Sequence, residues 1–417
     1  MDIKSMLAFE EKEKKLLKLV FFISLGACLA AVGIAWGIQK ARLSARVEKQ
    51  RAEAETSDML LVFEKHTRDL LTVDLDAHRF ASRHFAQTNR PQEAIPHLLR
   101  LLSVDDEDRE VRLALGEAYL KAGMYDKALR ELSTLNAAKE SDSLTKSAMA
   151  LQGLALFHTG QYDASIELLD ETLQLYPGSA EAACYRGQVE AALNSGSKQA
   201  EDYFRKALEI DSTYAEPLYQ WARFDMNRPG RSDDDLDSAR RRLLRLLKIE
   251  PLNPKAHARL GMLYYYLGYP DISEKSYRTA LALNPADYNT RYNLGELYTS
   301  LYWNRQDLSE DAKAAYRRKA LTEFKKTLEI EPDHANAHFK IGLISLENNM
   351  LNAAVRHFEQ ARKLSPENIR ILLQLGVAYE KKDMHAEAMS VYNAVLDIDP
   401  VNQVAQQKVK LLSGVGR

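Results

Sequence analysis

Residues 369–400 read IRILLQLGVAYEKKDMHAEAMSVYNAVLDIDP, and this stretch decides the fold. Gly376 is followed twelve residues later by Ala388, four residues on by Tyr392, and then by Pro400. The physics is that of a helical hairpin. Small residues at matching heights on two antiparallel helices let the axes approach to the short end of the ~8–10 Å range, and a proline ends the second helix. The large residue fills the gap to whatever packs next. Asp383 falls in the turn, where a left-handed backbone is needed.

Working outward, the same arrangement recurs at a spacing near 34 residues. Glycines stand on this phase at 116, 153, 187, 261, 295, 342 and 376, with Ser82 and Ala222 at the equivalent places of two further repeats. Seven of the 18 glycines share one phase, which chance does not produce. Each is followed by a second small residue: Ala94, Ala128, Ser165, Ala200, Ala239, Ser273, Ala320, Ala354 and Ala388. Four residues later comes Leu98, Leu132, Leu169, Phe204, Leu243, Tyr277, Phe324, Phe358 or Tyr392. Pro177, Pro251, Pro285, Pro332, Pro366 and Pro400 close six of the nine repeats, and Gly123, Gly160, Gly268, Asn349 and Asp383 occupy turns. No single hairpin buries its apolar faces alone, so the repeats must stack into a solenoid.

The pattern resembles the tetratricopeptide repeat. The clearest matches are Leu115-Gly116-Glu117-Ala118-Tyr119 leading to Gly123-Met124-Tyr125-Asp126-Lys127-Ala128, Leu294-Gly295-Glu296-Leu297-Tyr298, and Leu375-Gly376-Val377-Ala378-Tyr379. The resemblance implies an all-α fold, a right-handed α-solenoid of about nine hairpins starting near 75, 109, 146, 180, 215, 254, 288, 335 and 369. The expected organisation is a tail over 1–18, a transmembrane helix over 19–38, a helical spacer and cap over 39–74, the solenoid over 75–402, and a capping helix and tail over 403–417. Two repeats carry insertions, around Asn227 to Asp237 and near Trp303 to Lys319. The second is expected to lengthen a helix from an N-cap at Ser309.

The expected anchor is LVFFISLGACLAAVGIAWGI from Leu19 to Ile38, twenty residues without a charge. A helix of that length spans roughly 30 Å of hydrocarbon. A cleaved leader has a shorter apolar region, and Leu25-Gly26-Ala27-Cys28 resembles a lipobox but is followed by further apolar sequence. Five Lys/Arg on each side of the span tie. Because the short N-terminal tail is highly charged, the expectation is a single-pass protein of a bacterial inner membrane with the repeats outside the cytoplasm. Gly26, Ala30, Gly33 and Gly37 make one stripe that suits close approach of two such helices.

Composition bounds the rest. The chain has 417 residues, 57 Lys+Arg against 59 Asp+Glu, and 46% hydrophobic residues, so it is neither disordered nor disulfide-stapled. A net charge of −2 argues against a dedicated nucleic-acid binder. Phosphate-loop, CxxC, HExxH and GxSxG signatures are missing. His334 and His338 are helix neighbours able in principle to share a metal, but they sit where polar surface residues are ordinary. The basic run Arg240, Arg241, Arg242, Arg245 and Lys248, after Asp233, Asp234, Asp235 and Asp237, reads as a helix complementing its own dipole. No enzyme, cofactor, metal or small-molecule substrate is called for.

What remains is an inner groove. The resemblance implies that the second, fifth, ninth and twelfth residues of each first helix line it and that protein segments bind there. Carried onto this sequence, the lining is Tyr219, Arg223, Arg259, Met262, Tyr265, Tyr292 and Asn293, followed by an apolar stretch of Phe339, Leu343, Leu346, Leu373 and Val377. Aromatics mixed with Arg and Asn are the composition of binding hot spots. The Lys and Asn set with which co-chaperone members clamp a terminal carboxylate is not reproduced. The expectation is a non-enzymatic, membrane-anchored scaffold that binds protein partners and helps assemble an envelope complex such as a secretion, pilus or polysaccharide-export machine. The alternative is a structural protein self-assembling into rings or filaments.

Overall fold

The computed structural model describes residues 75–88, 90–137, 142–305 and 307–415, and every regular element among them is a helix. The nineteen helices are α1 (Leu75–Gln87), α2 (Pro91–Leu102), α3 (Arg109–Lys121), α4 (Tyr125–Ala137), α5 (Ser143–His158), α6 (Tyr162–Leu175), α7 (Ala180–Leu193), α8 (Lys198–Ile210), α9 (Glu216–Asn227), α10 (Asp233–Ile249), α11 (Pro254–Tyr266), α12 (Pro270–Leu283), α13 (Tyr288–Asn304), α14 (Glu310–Ile330), α15 (Ala335–Glu347), α16 (Leu351–Leu364), α17 (Ile369–Glu380), α18 (His385–Ile398) and α19 (Gln403–Val415). The chain divides into two compact units, Met1–Ala118 and Tyr119–Arg417, the boundary falling inside α3.

In the first unit, α1 and α2 form a hairpin in which Ala81, Ser82 and Phe85 are buried against Ala94, Ile95, Leu98 and Leu101. In the second unit, α5 to α18 pair as seven successive hairpins, each packed on the next, so that this unit is a helical solenoid. The glycine phase explains the close pairing. A Cβ built on Gly376 would lie 2.5 Å from the Tyr392 ring, and one on Gly261 would lie 2.5 Å from Tyr277. The same relation joins Gly153 to Leu169, Gly187 to Phe204, Gly295 to Phe324 and Gly342 to Phe358. Where the facing small residue is serine it adds a bond: Ser165 and Ser273 donate to the carbonyls of Gly153 and Gly261, each at 2.7 Å.

Turns follow the sequence reading. Gly123, Gly160, Gly268, Asn349 and Asp383 all adopt positive φ. Successive hairpins are tied by buried phenols, with Tyr298 donating to Glu274 at 2.8 Å and Tyr379 to Glu359 at 2.6 Å. At the C-terminal end Ala405, Val409 and Leu412 of α19 pack on the cluster around Leu375 and Tyr392.

Both insertions have local causes. Arg228, in the loop after α9, pairs with Glu201 and with Asp235 at 3.1 Å, while the guanidinium of Arg231 lies 4.5 Å from the Tyr266 ring. Ser232 then opens α10 with a reciprocal capping box to Asp235. The later insertion begins at the N-cap Ser309, whose side chain accepts from Ala312, and it lengthens α14 to 21 residues.

The single-pass membrane placement is corrected. Among the described residues no helix is long and apolar enough to cross a membrane. The physical reason is that these helices are built to stack on one another with polar and charged residues interspersed: α7 buries Arg186, Gln188 and Glu190 among its apolar residues, and α14, the longest, is charged along its whole length. Residues 1–74, with the apolar stretch 19–38, the spacer and the stripe Gly26, Ala30, Gly33 and Gly37, lie outside the described residues.

Candidate protein-interaction face

First helices of successive hairpins lie side by side, α9 beside α11, α11 beside α13 and α15 beside α17. Residues projecting from them therefore form a continuous row across several hairpins. Tyr219, Arg259 and Met262 converge in this row: Arg259 donates to the Tyr219 hydroxyl at 3.3 Å, lies 5.7 Å from its ring centre, and reaches the Met262 sulfur at 3.7 Å. Tyr265 follows on the same helix, 37% exposed, with its ring 5.8 Å from that of Tyr266.

On α13, Tyr292 and Asn293 are half-buried. The Tyr292 ring rests between Phe324 at 5.5 Å and His334 at 4.8 Å. Burial, with the Glu296 carboxylate beside it, pushes the Tyr292 phenol well above its ordinary range.

The apolar stretch is less open than its composition suggests. Phe339 and Leu346 are 6% and 7% exposed and belong to the core shared with α16, α17 and α18. Leu343, Leu373 and Val377 are half-buried against that same core. The reason is side-by-side packing: the Phe358 ring lies tilted 5.8 Å from that of Phe339, and the Arg370 guanidinium lies 5.5 Å from the Phe339 ring centre. Arg223 is not gathered with the rest. It is exposed and lies towards the preceding hairpins, in a recess with Gln188, Phe204 and Asn227; burial, and secondarily the Arg223 charge, depresses the His158 imidazole.

Sequence reasoning named Arg223 and Arg259 but passed over Glu296, Lys340 and Arg370. Lys340 pairs with Glu296 at 2.7 Å and lies 5.6 Å from the Trp303 ring, and the Trp303 indole donates to Glu347 at 3.0 Å. The signal was present: Glu296 stands four residues after Tyr292, and Arg370 is the second residue of its helix, both positions that the groove rule selects. Pairing of Lys340 across helices has no such sequence signal.

His334 and His338 are committed elsewhere. His334 caps α15 by accepting from the Ala337 amide at 3.0 Å. His338 lies 3.0 Å from the Pro332 carbonyl through Nε2 and 3.0 Å from His357 through Nδ1. A carbonyl only accepts, so in the neutral pair Nε2 of His338 carries the proton and His357 donates to Nδ1. Among the described residues no group of three or more His, Cys, Asp or Glu is placed to hold a metal ion.

The profiles of the tetratricopeptide repeat match residues 85–151 and 345–411, 132–180 and 150–215, and 254–287, together just over half of the chain. Similar curated proteins include Superkiller complex protein 3 of Homo sapiens, 23% identical over 74% of this chain and 22% of that protein. Another is anaphase-promoting complex subunit 3 of Schizosaccharomyces pombe, 23% identical over 65% of this chain and 43% of that protein. The chain thus spans less than half the length of either. Among solved structures, human IFIT1 as a dimer with PPP-AAAA superposes with a TM-score of 0.50 at 14% identity, covering 83% of this chain and 82% of that one. At that identity the likeness concerns the fold alone.

Proposed function

This chain belongs to the tetratricopeptide-repeat family, a family of protein-interaction scaffolds, and from that premise we propose that it is a non-enzymatic subunit of a protein assembly that holds an extended partner segment along its row of first helices. The observation that carries the reading is the cluster Tyr219–Arg259–Met262, continued by the exposed Tyr265 and by Tyr292 and Asn293. Aromatic rings held in place by neighbours lose little entropy on binding, and a guanidinium already hydrogen-bonded to a phenol is held in place with N–H groups left for a partner. The names of the relatives favour assembly: both are subunits of complexes.

The test is capture of partners by the full chain, by the Tyr265→Ala/Tyr292→Ala variant, and by Leu244→Ala, which alters an exposed side chain on a second helix. Partner recovery is expected to fall about tenfold or more for the first variant and to stay constant for the second. Equal recovery by all three would remove the first-helix row from the account. Because Tyr292 also packs on Phe324, the comparison is made on protein whose helical circular dichroism matches that of the parent.

A further inference from the structure

The basic run of α10 does more than complement the dipole of its own helix. Arg241, Arg242 and Arg245 line one side of a cleft of about 250 Å³, whose other walls are Leu208 of α8 and Leu218 and Trp221 of α9. The cleft therefore opens between the second helices α8 and α10 of adjacent hairpins, over Leu218 and Trp221 of the first helix α9, and none of its lining residues belongs to the row of Tyr219, Arg259, Met262, Tyr265 and Tyr292.

Its three guanidinium groups are differently occupied. Arg242 is bound to the buried Asp225 and lies over Trp221, its guanidinium carbon 3.8 Å from the ring centre. Arg241 shares Asp237 with Arg240 and donates to Ser238 at 2.8 Å. Arg245 is exposed, and its one polar contact among the described residues is the Ser212 carbonyl at 3.2 Å. Guanidinium groups thus outnumber carboxylates at the cleft, and Arg245 has N–H groups to spare. The indole N–H of Trp221 also lacks an acceptor, on a side chain only 9% exposed.

We propose that this cleft binds an acidic peptide segment of a protein partner, one carboxylate held by Arg245 and Arg241 and an adjoining apolar side chain against Trp221, Leu208 and Leu218. A planar guanidinium fork matches a carboxylate in two parallel bonds. The volume is below the ~300–1,000 Å³ typical of whole small-molecule sites and suits one side chain. A peptide is favoured over a nucleic acid because Asp233, Asp234 and Asp235 stand at the start of the same helix and would repel a phosphate chain continuing past the cleft. A peptide meets the arginines once and then leaves.

The experiment is calorimetric titration of the full chain with acetyl-Gly-Glu-Phe-Glu-Gly-amide, with the Gln-Phe-Gln counterpart, and with a short oligouridylate. The Glu peptide is expected to bind at least about tenfold more tightly than the Gln peptide, and Arg245→Gln to weaken it by about the same factor. Arg241→Gln/Arg245→Gln should reduce the Glu peptide to the level of the Gln peptide. Arg245→Lys, which keeps charge but loses the fork, should fall between. Both side chains are exposed, so these variants are expected to retain the parent's circular dichroism. Equal binding of the two peptides, Glu-peptide binding unaffected by the double variant, absence of binding at about 1 mM peptide, or tighter binding of the oligouridylate that the double variant abolishes would each overturn the proposal. The outcome is separate from that of the first-helix test, which alters none of these residues.

Discussion

Gly376 has no side chain because Tyr392 already occupies the space where one would go. Gly376→Ala is expected to destabilise the second unit by about 1–3 kcal/mol, since the fully buried ring must shift in a packed core. Thermal denaturation should show the loss as a lower midpoint, whereas an unchanged midpoint would mean that the hairpin yields freely. Two titratable residues give a pH signature. Burial pushes the Asp225 carboxyl up to about 7 in spite of Arg242 and Arg228 beside it. An unfolded aspartate has a pKa of ~3.9, so this residue contributes stability fully present below about pH 4 and lost as pH rises through about 7. His357 acts in the opposite sense. Burial, with His338, Arg356 and Lys325 nearby, pushes it down to about 4, so its contribution is present above ~6.5 and lost as pH falls through about 4. The two oppose each other in the parent protein. Melting midpoints taken between about pH 4.5 and 7.5 should therefore rise more steeply with pH in Asp225→Asn and less steeply in His357→Leu. Parallel curves for all three proteins would contradict both assignments.

Helix α10 shows how one element is set in place by its first turn. The Ser232 side chain accepts from the Asp235 amide at 3.3 Å while Asp235 accepts from the Ser232 amide at 2.8 Å. Ser232→Ala is expected to cost about 1 kcal/mol, which for a unit of this size is a shift of roughly 2–4 °C. Asp235→Ala should cost more, because it also takes a carboxylate from the half-buried Arg228. Equal effects would show that Arg228 is satisfied by Glu201 alone. The same helix explains why its basic run misleads on sequence alone. A dipole-complementing helix and a cleft wall have the same order of charges, and only the approach of α8 and α9 distinguishes them.

At the scale of the whole molecule, the second unit is held by neighbour contacts, so damage should stay local. Deleting residues 400–417 removes Ala405, Val409 and Leu412 from the cluster containing Leu375, Val391 and Tyr392. Amide exchange is expected to accelerate across α17 and α18 while α9 to α12 keep their protection. Uniform acceleration along the unit would instead indicate one cooperative block.

The sequence by itself determined the hairpins, their small-residue contacts, the left-handed turn positions and the Ser309 start of α14, because each depends on residues within one repeat. The family resemblance adds an expectation that Tyr219, Arg259, Met262, Tyr265 and Tyr292 line one face of the first helices. Only the tertiary structure decided how open that face is. Phe339 and Leu346 are apolar in the sequence whether covered or not, and it is the arrival of Arg370 and Phe358 from other helices that buries Phe339. The pairing of Lys340 with Glu296, and the enclosure of Arg242 between Asp225 and Trp221, likewise join residues from separate helices. The reason is one of range: spacing along a chain specifies which side chains share a helix face, whereas the exposure, charge and protonation of that face are set by what packs across it.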